Sequence, residues 1–141
     1  MEEEIKKRRK EGWIEAWFAI EALATAKETV EDSLKKHIES LARAKDTFVY
    51  EKKFSETKRV ANPIKDVAEG YSQVVEIKLL AKNVFTLVSL VLIYGPSSVE
   101  ILGPNEKAMK IGEMQDMCNL LSGLMHQFAA AGIGGMVITP K

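Results

Sequence analysis

Gly12-Trp13-Ile14-Glu15-Ala16-Trp17-Phe18-Ala19-Ile20-Glu21-Ala22-Leu23-Ala24 holds both tryptophans of the chain. Trp13, Trp17, Ile20 and Ala24 follow a 4-3-4 spacing, which lines one face of an α-helix. The spacing resumes after a change of phase near Lys27, in Val30, Leu34, His37, Leu41, Ala44 and Phe48. No proline occurs before residue 50, and Gly12 is the only glycine there. These features predict one long helix from Gly12 to Tyr50, spanning ~55 Å at the helical rise. A ten-residue strand reaches only ~33 Å, so a small sheet would leave part of such a helix uncovered. Tryptophans concentrate where large rings are buried between partners. Trp13, Trp17, Ile20, Leu34 and Leu41 are therefore candidate interface residues.

Charge is spread unevenly around this segment. Residues 1–60 carry 14 Lys/Arg and 13 Asp/Glu, against 6 and 7 in residues 61–141. Glu2 with Lys6, Glu3 with Lys7 and Glu4 with Arg8 place acid four residues before base, the favourable helical order. The expected organisation is a single domain over 1–141, with a charged helical arm at 1–50 and an apolar body at 62–141.

Within the body, Asn62 and Pro63 have the chemistry of a helix start and Gly70 that of a stop, predicting a short helix over 63–69. Residues 51–61 read as a polar connector. Val75, Ile77, Leu79 and Ala81 alternate with more polar neighbours, as in a half-buried strand. Val84–Tyr94 is almost wholly apolar and rich in branched residues, predicting a central strand covered on both faces. A third strand is expected over residues 98–102. A second helix of about 20 residues follows, with Ile111, Met114, Cys118, Leu121, Leu124 or Met125, and Phe128 on its apolar face. Gly132 would cap it, and residues 136–139 would form a short final strand. The predicted fold is α+β: long N-terminal helix, short helix, three-stranded antiparallel meander, second helix, short C-terminal strand.

Composition narrows function by exclusion. Twenty basic and twenty acidic residues cancel, so bulk attraction to nucleic acid or anionic lipid is absent. The Lys6-Lys7-Arg8-Arg9-Lys10 run is a candidate phosphate contact, but Glu2, Glu3, Glu4 and Glu11 neutralise it and no aromatic is interleaved to stack on bases. Nucleic-acid binding is the third-ranked reading. One cysteine, Cys118, rules out an intramolecular disulfide and fits a reducing cytoplasm. The acidic N-terminus lacks a secretory pattern, and no apolar run suits a membrane span.

No motif assembles a catalytic, cofactor or metal site. The 131–135 glycines close a helix instead of opening one, the reverse of a phosphate loop. Cys118 and His126 are eight residues apart, which is not a ligand spacing on a helix. Ser97 and Ser98 lack a nucleophile elbow. Tyr94, Ser97, Glu113 and His126 remain as a candidate pocket without a spacing to join them. The leading expectation is an assembly or interaction module that self-associates, with a possible unidentified protein partner. The alternative is a ligand binder or enzyme whose site lies between subunits.

Overall fold

Gly12 ends the first helix. It adopts φ +88°, a conformation that a residue with a Cβ rarely takes. Its N–H bonds the Arg9 carbonyl at 3.0 Å, and the Trp13 N–H reaches back to the Arg8 carbonyl at 3.0 Å. These bonds satisfy carbonyls that the helix leaves open. Helix α1 therefore runs Glu2–Lys10 and stops. Its acids occupy the first turn and its bases the last, matching the helix dipole.

The long helix expected from Gly12 to Tyr50 does not form. In the computed structural model, which describes residues 1–64 and 67–132, this region holds β1 (Ile14–Ala24), α2 (Lys27–Ala42) and the start of β2 (Thr47–Phe54). The 4-3-4 spacing competes in β1 with a period-two pattern, Ile14, Ala16, Phe18 and Ile20, and all four are buried. Glu15 and Glu21 fall on the opposite side. Pairing with a distant strand, register Ile14↔Ala81 to Ala24↔Tyr71, decides in favour of the second pattern. Local spacing is a weak prior, and tertiary pairing overrides it.

Residues 51–61 are not a connector, and 63–69 are not a helix. β2, β3 (Lys58–Ile64) and β4 (Val67–Ala81) occupy them. β2 and β3 pair antiparallel with successive halves of β4, so they act as one edge strand interrupted at 55–57. Across that break the Ser55 N–H donates to the Val74 carbonyl at 2.8 Å, and the Ser55 hydroxyl accepts from the Val74 N–H at 3.0 Å. Asn62 and Pro63 fall where the β3–β4 register shifts, between Ala61 and Ile64. An edge strand at an irregularity tolerates a residue that has no N–H to give.

The expected central strand over Val84–Tyr94 is a helix, α3. Its end chemistry outweighs its branched composition. Asn83 Oδ1 accepts from the Thr86 N–H at 2.9 Å and from the Thr86 hydroxyl at 2.8 Å. At the other end Gly95 turns left-handed, with φ +57°, and donates to the Val91 carbonyl. N-cap and C-cap bracket eleven residues whose helical stripe of Val84, Leu87, Leu90, Val91 and Tyr94 packs on the core. Helix propensity of branched residues is lower by only a few tenths of a kcal/mol each, less than a good cap supplies.

The strands do not form a three-stranded meander. Among the described residues there are four helices and a five-stranded antiparallel sheet, ordered β2-β4-β1-β5 with β3 beside β4. β5 (Ser98–Gly103) pairs with β1, not with its sequence neighbour. With β2 and β3 counted as one strand, the succession is β-α-β-β-α-β and the first and third strands are central, the split, ferredoxin-like arrangement. Leu34, Ile38 and Leu41 of α2, with Leu87 and Leu90 of α3, cover one sheet face and meet Ile14, Ala16, Phe18, Ile20, Val75, Ile77 and Leu79. Both helices lie on that face, and α1 lies against β4.

The chain divides into two compact units, Met1–Lys107 and Ala108–Lys141. The sheet and the first three helices belong to the first. Helix α4 (Ile111–Ala130) belongs to the second, and Gly132 follows it with φ +73°. The strand expected over 136–139 lies outside the described residues. No helix among the described residues is long and apolar enough to cross a membrane.

Candidate functional site

On the sheet face opposite α2 and α3, helix α1 is fixed by two contacts. The Arg8 guanidinium stacks between aromatic rings, 4.4 Å from the centre of Trp13 and 5.0 Å from that of Phe48. The second contact centres on Glu15. Its carboxylate takes a two-pronged bond from Arg9, Nε to Oε1 at 2.8 Å and Nη2 to Oε2 at 2.7 Å. The Tyr50 hydroxyl also donates to Oε2. The β2 register shifts between Val49 and Glu51, and Tyr50 sits at that irregularity.

This cluster sets two ionisations apart from their ordinary ranges. Hydrogen bonding to Arg9 holds the Glu15 carboxyl below the usual glutamate value, against the opposing effect of burial. Burial first, then the bond to Glu15, pushes the Tyr50 phenol up from 10.0 to about 12. A carboxylate lowered by folding stabilises above its unfolded pKa, and that contribution disappears as pH falls through the folded value. A phenol raised by folding stabilises below its unfolded value and loses that contribution as pH rises from 10 towards about 12. An alkaline absorbance titration should accordingly resolve one tyrosine ionising near pH 12, and Tyr50→Phe should remove it. Retention of that step in the variant would assign it elsewhere.

The basic run is thus partly engaged within the chain. Arg8 and Arg9 hold α1 to the sheet, while Lys6, Lys7 and Lys10 stay exposed.

A second group of polar side chains sits between α2 and the end of α3. His37 Nε2 lies 2.9 Å from the Tyr94 carbonyl oxygen, which can only accept, so Nε2 carries the proton. The two rings meet edge-on at 5.1 Å, and the Ser40 and Tyr94 hydroxyls are 3.0 Å apart. His37 and Tyr94 border a cleft of about 310 Å³ with Ile20, Glu21, Ser33 and Leu34. A larger cleft, about 440 Å³, opens between the α3 start and β5, lined by Ile14, Val84, Leu87, Ile101, Leu102 and Lys107 among others. Its wall is mainly apolar, and Lys107 donates to the Gly12 carbonyl.

The residues singled out from sequence fall in different places. Ile20, Leu34 and Leu41 are buried in the core of their own chain. Trp13 and Trp17 are half-buried, Trp13 beneath Arg8 and Trp17 opposite Lys78 and Glu100 in the sheet register. Of the pocket set, Tyr94 meets His37 and Ser40. Ser97 is used locally, its N–H and hydroxyl both reaching the Ala19 carbonyl at 2.8 and 3.0 Å. Glu113 and His126 are on α4, ~20 Å apart along its axis, so they do not converge on each other. Among the described residues no group of three or more His, Cys, Asp or Glu is placed to hold a metal ion.

Sequence reasoning missed the Arg9–Glu15–Tyr50 cluster, whose members lie on three elements. It also missed the bare apolar residues of β5. Val99 and Ile101 pair with Phe18 and Ala16, which places them on the helix-covered side of the sheet. Both are nonetheless exposed, Ile101 by 59 %, and Leu102 beside them is exposed too. Ile93 at the end of α3 is 67 % exposed. The clue was the amphipathic composition of 98–102, in which three of five residues are large and apolar.

A family model, the MJ0538 family, matches residues 15–140. The chain belongs to the MJ0538 family. The match begins at the second residue of β1 and takes in the rest of the sheet, α2, α3 and α4, so the MJ0538 region spans both compact units. Helix α1, with its Arg8 and Arg9 contacts, precedes it. No curated protein matches the chain.

Proposed function

We propose that this MJ0538-family protein is an interaction module that associates with further copies of itself. The supporting observation is the amount and placement of its exposed apolar surface. Ile111, Met114, Leu121, Met125 and Phe128 are exposed along α4, and no residue of that helix is buried. In the first unit, Ile93, Val99, Ile101 and Leu102 are also exposed. Single apolar side chains on a surface are ordinary, but contiguous patches of this kind mark sites of association. The N-terminal segment has a different role in this reading. Ile20, Leu34 and Leu41 serve the interior, so association falls to α4 and to the β5 edge.

Two features fit this role. Among the described residues β5 pairs with β1 on one side and with no strand on the other, leaving a six-residue sheet edge that carries Val99, Ile101 and Leu102. Formal charge is balanced, so copies approach without net repulsion.

The test is native mass by light scattering coupled to size exclusion, across a dilution series. A dimer or larger species is the expected result. A monomer at every concentration would overturn the reading.

A further inference from the structure

The two helices on the sheet do not cover all of it. Ile14 of β1 and Leu87 of α3 are buried in the core, yet Ile101 of β5 is 59 % exposed although its register with Ala16 turns it to the same side. The cleft of about 440 Å³ between the α3 start and β5 is the gap that results. Every described residue that lines it belongs to the first compact unit. Its volume lies within the range of small-molecule sites.

The chemistry of the wall narrows what fits there. Ile14 and Leu87 supply buried apolar surface, and Val84, Ile101 and Leu102 supply apolar surface that water still reaches. Among the described lining residues only Asn105 and Lys107 have polar side chains, and none is aromatic or acidic. A nucleobase would find no ring to stack on. A sugar would leave most of its hydroxyls facing hydrocarbon. An aliphatic chain meets surface of its own kind.

The only charge in this wall is positive. Lys107 Nζ is tethered by its bond to the Gly12 carbonyl. A Cβ on residue 12 would come within 3.3 Å of that nitrogen, so glycine leaves it room. An ammonium has three N–H donors, and the carbonyl takes one. Among the described residues no carboxylate forms an ion pair with Lys107. Two donors and one unit of charge remain, which match the two oxygens and single charge of a carboxylate. A phosphate monoester brings close to two charges and three terminal oxygens, more than one lysine neutralises.

We propose that this cleft binds a small aliphatic carboxylate, its chain against Val84, Leu87 and Ile101 and its carboxylate on Lys107. The site does not depend on self-association. Strand pairing at the β5 edge uses backbone groups in the plane of the sheet, whereas the cleft lies on the helix side.

The probes are octanoate, octylammonium and octanol, which share a chain and differ at the head. Each is titrated into the full-length protein carrying isotope-labelled Ile, Leu and Val methyl groups, and the shifts are read by nuclear magnetic resonance. Octanoate should move the Val84, Leu87 and Ile101 signals and saturate in the millimolar range, as suits a ligand of about ten heavy atoms. Octylammonium should bind at least about fivefold more weakly than octanoate. Lys107→Met should abolish that preference and leave octanol unchanged. Lys107 is exposed, so the variant should fold, and the methyl spectrum of its free form checks this. Shifts confined to Ile111 and Leu121 of α4, or no saturable shift with any probe, would overturn the site. Equal affinity for octanoate and octylammonium would overturn the carboxylate. A preference for octanoate that survives Lys107→Met would overturn the role of Lys107.

Discussion

Phe18→Ala should destabilise the protein by about 3–5 kcal/mol, and Trp17→Ala by only about 1–2 kcal/mol. The larger ring would then matter less than the smaller one. Phe18 is fully buried, pairs with Ile77 and Val99 in the sheet, and belongs to the cluster formed with α2 and α3. Trp17, one residue away, points to the other face and is half-buried beside Lys78. Domains of this size are stable by about 5–15 kcal/mol, so Phe18→Ala should approach the limit of folding. Urea unfolding followed by circular dichroism gives both values. Equal losses, or a greater loss for Trp17→Ala, would contradict the strand assignment of residues 14–24.

The second large effect concerns assembly. Leu121→Glu should weaken self-association at least a hundredfold, read as a shift of the dilution midpoint in light scattering. Leu121 lies midway along the exposed apolar line of α4, which the proposed self-association buries, so the substitution places a carboxylate from each copy in that apolar contact. An uncompensated charge in such a place costs about 3–5 kcal/mol, and a factor of ten corresponds to about 1.4 kcal/mol. The chain itself should fold unchanged, because Leu121 is exposed in the single copy. An unaltered midpoint would remove α4 from the interface.

Part of this architecture could be read from local pattern. The alternation Val75, Ile77, Leu79 and Ala81 lies in β4, and the six-residue apolar line of α4 follows ordinary helical spacing. Residues 12–24 could not be read this way, because Trp13, Trp17 and Ile20 fit one period while Ile14, Ala16, Phe18 and Ile20 fit another. The choice between them was made by β4, which is distant in the chain but adjacent in the sheet. α3 misled for a different reason. Its branched residues suggested a strand, yet Asn83 and Gly95 supplied start and stop signals whose energies outweigh a weak propensity. Side-chain groups such as Arg9, Glu15 and Tyr50, or His37 and Tyr94, become neighbours only through the sheet and the helices laid on it. The exposed β5 residues became visible only when the strand was placed at an edge.

The central position of β4 has a consequence for synthesis. Ile14 waits for Ala81, and Phe18 for Ile77, before either has a sheet partner. At roughly 5–20 residues per second, that interval lasts about 3–12 seconds on the ribosome. During it the most apolar part of β1 has only α2 and an incomplete edge strand for company. The nascent chain therefore passes through a stage in which the strand that will lie at the centre of the sheet has no strand beside it.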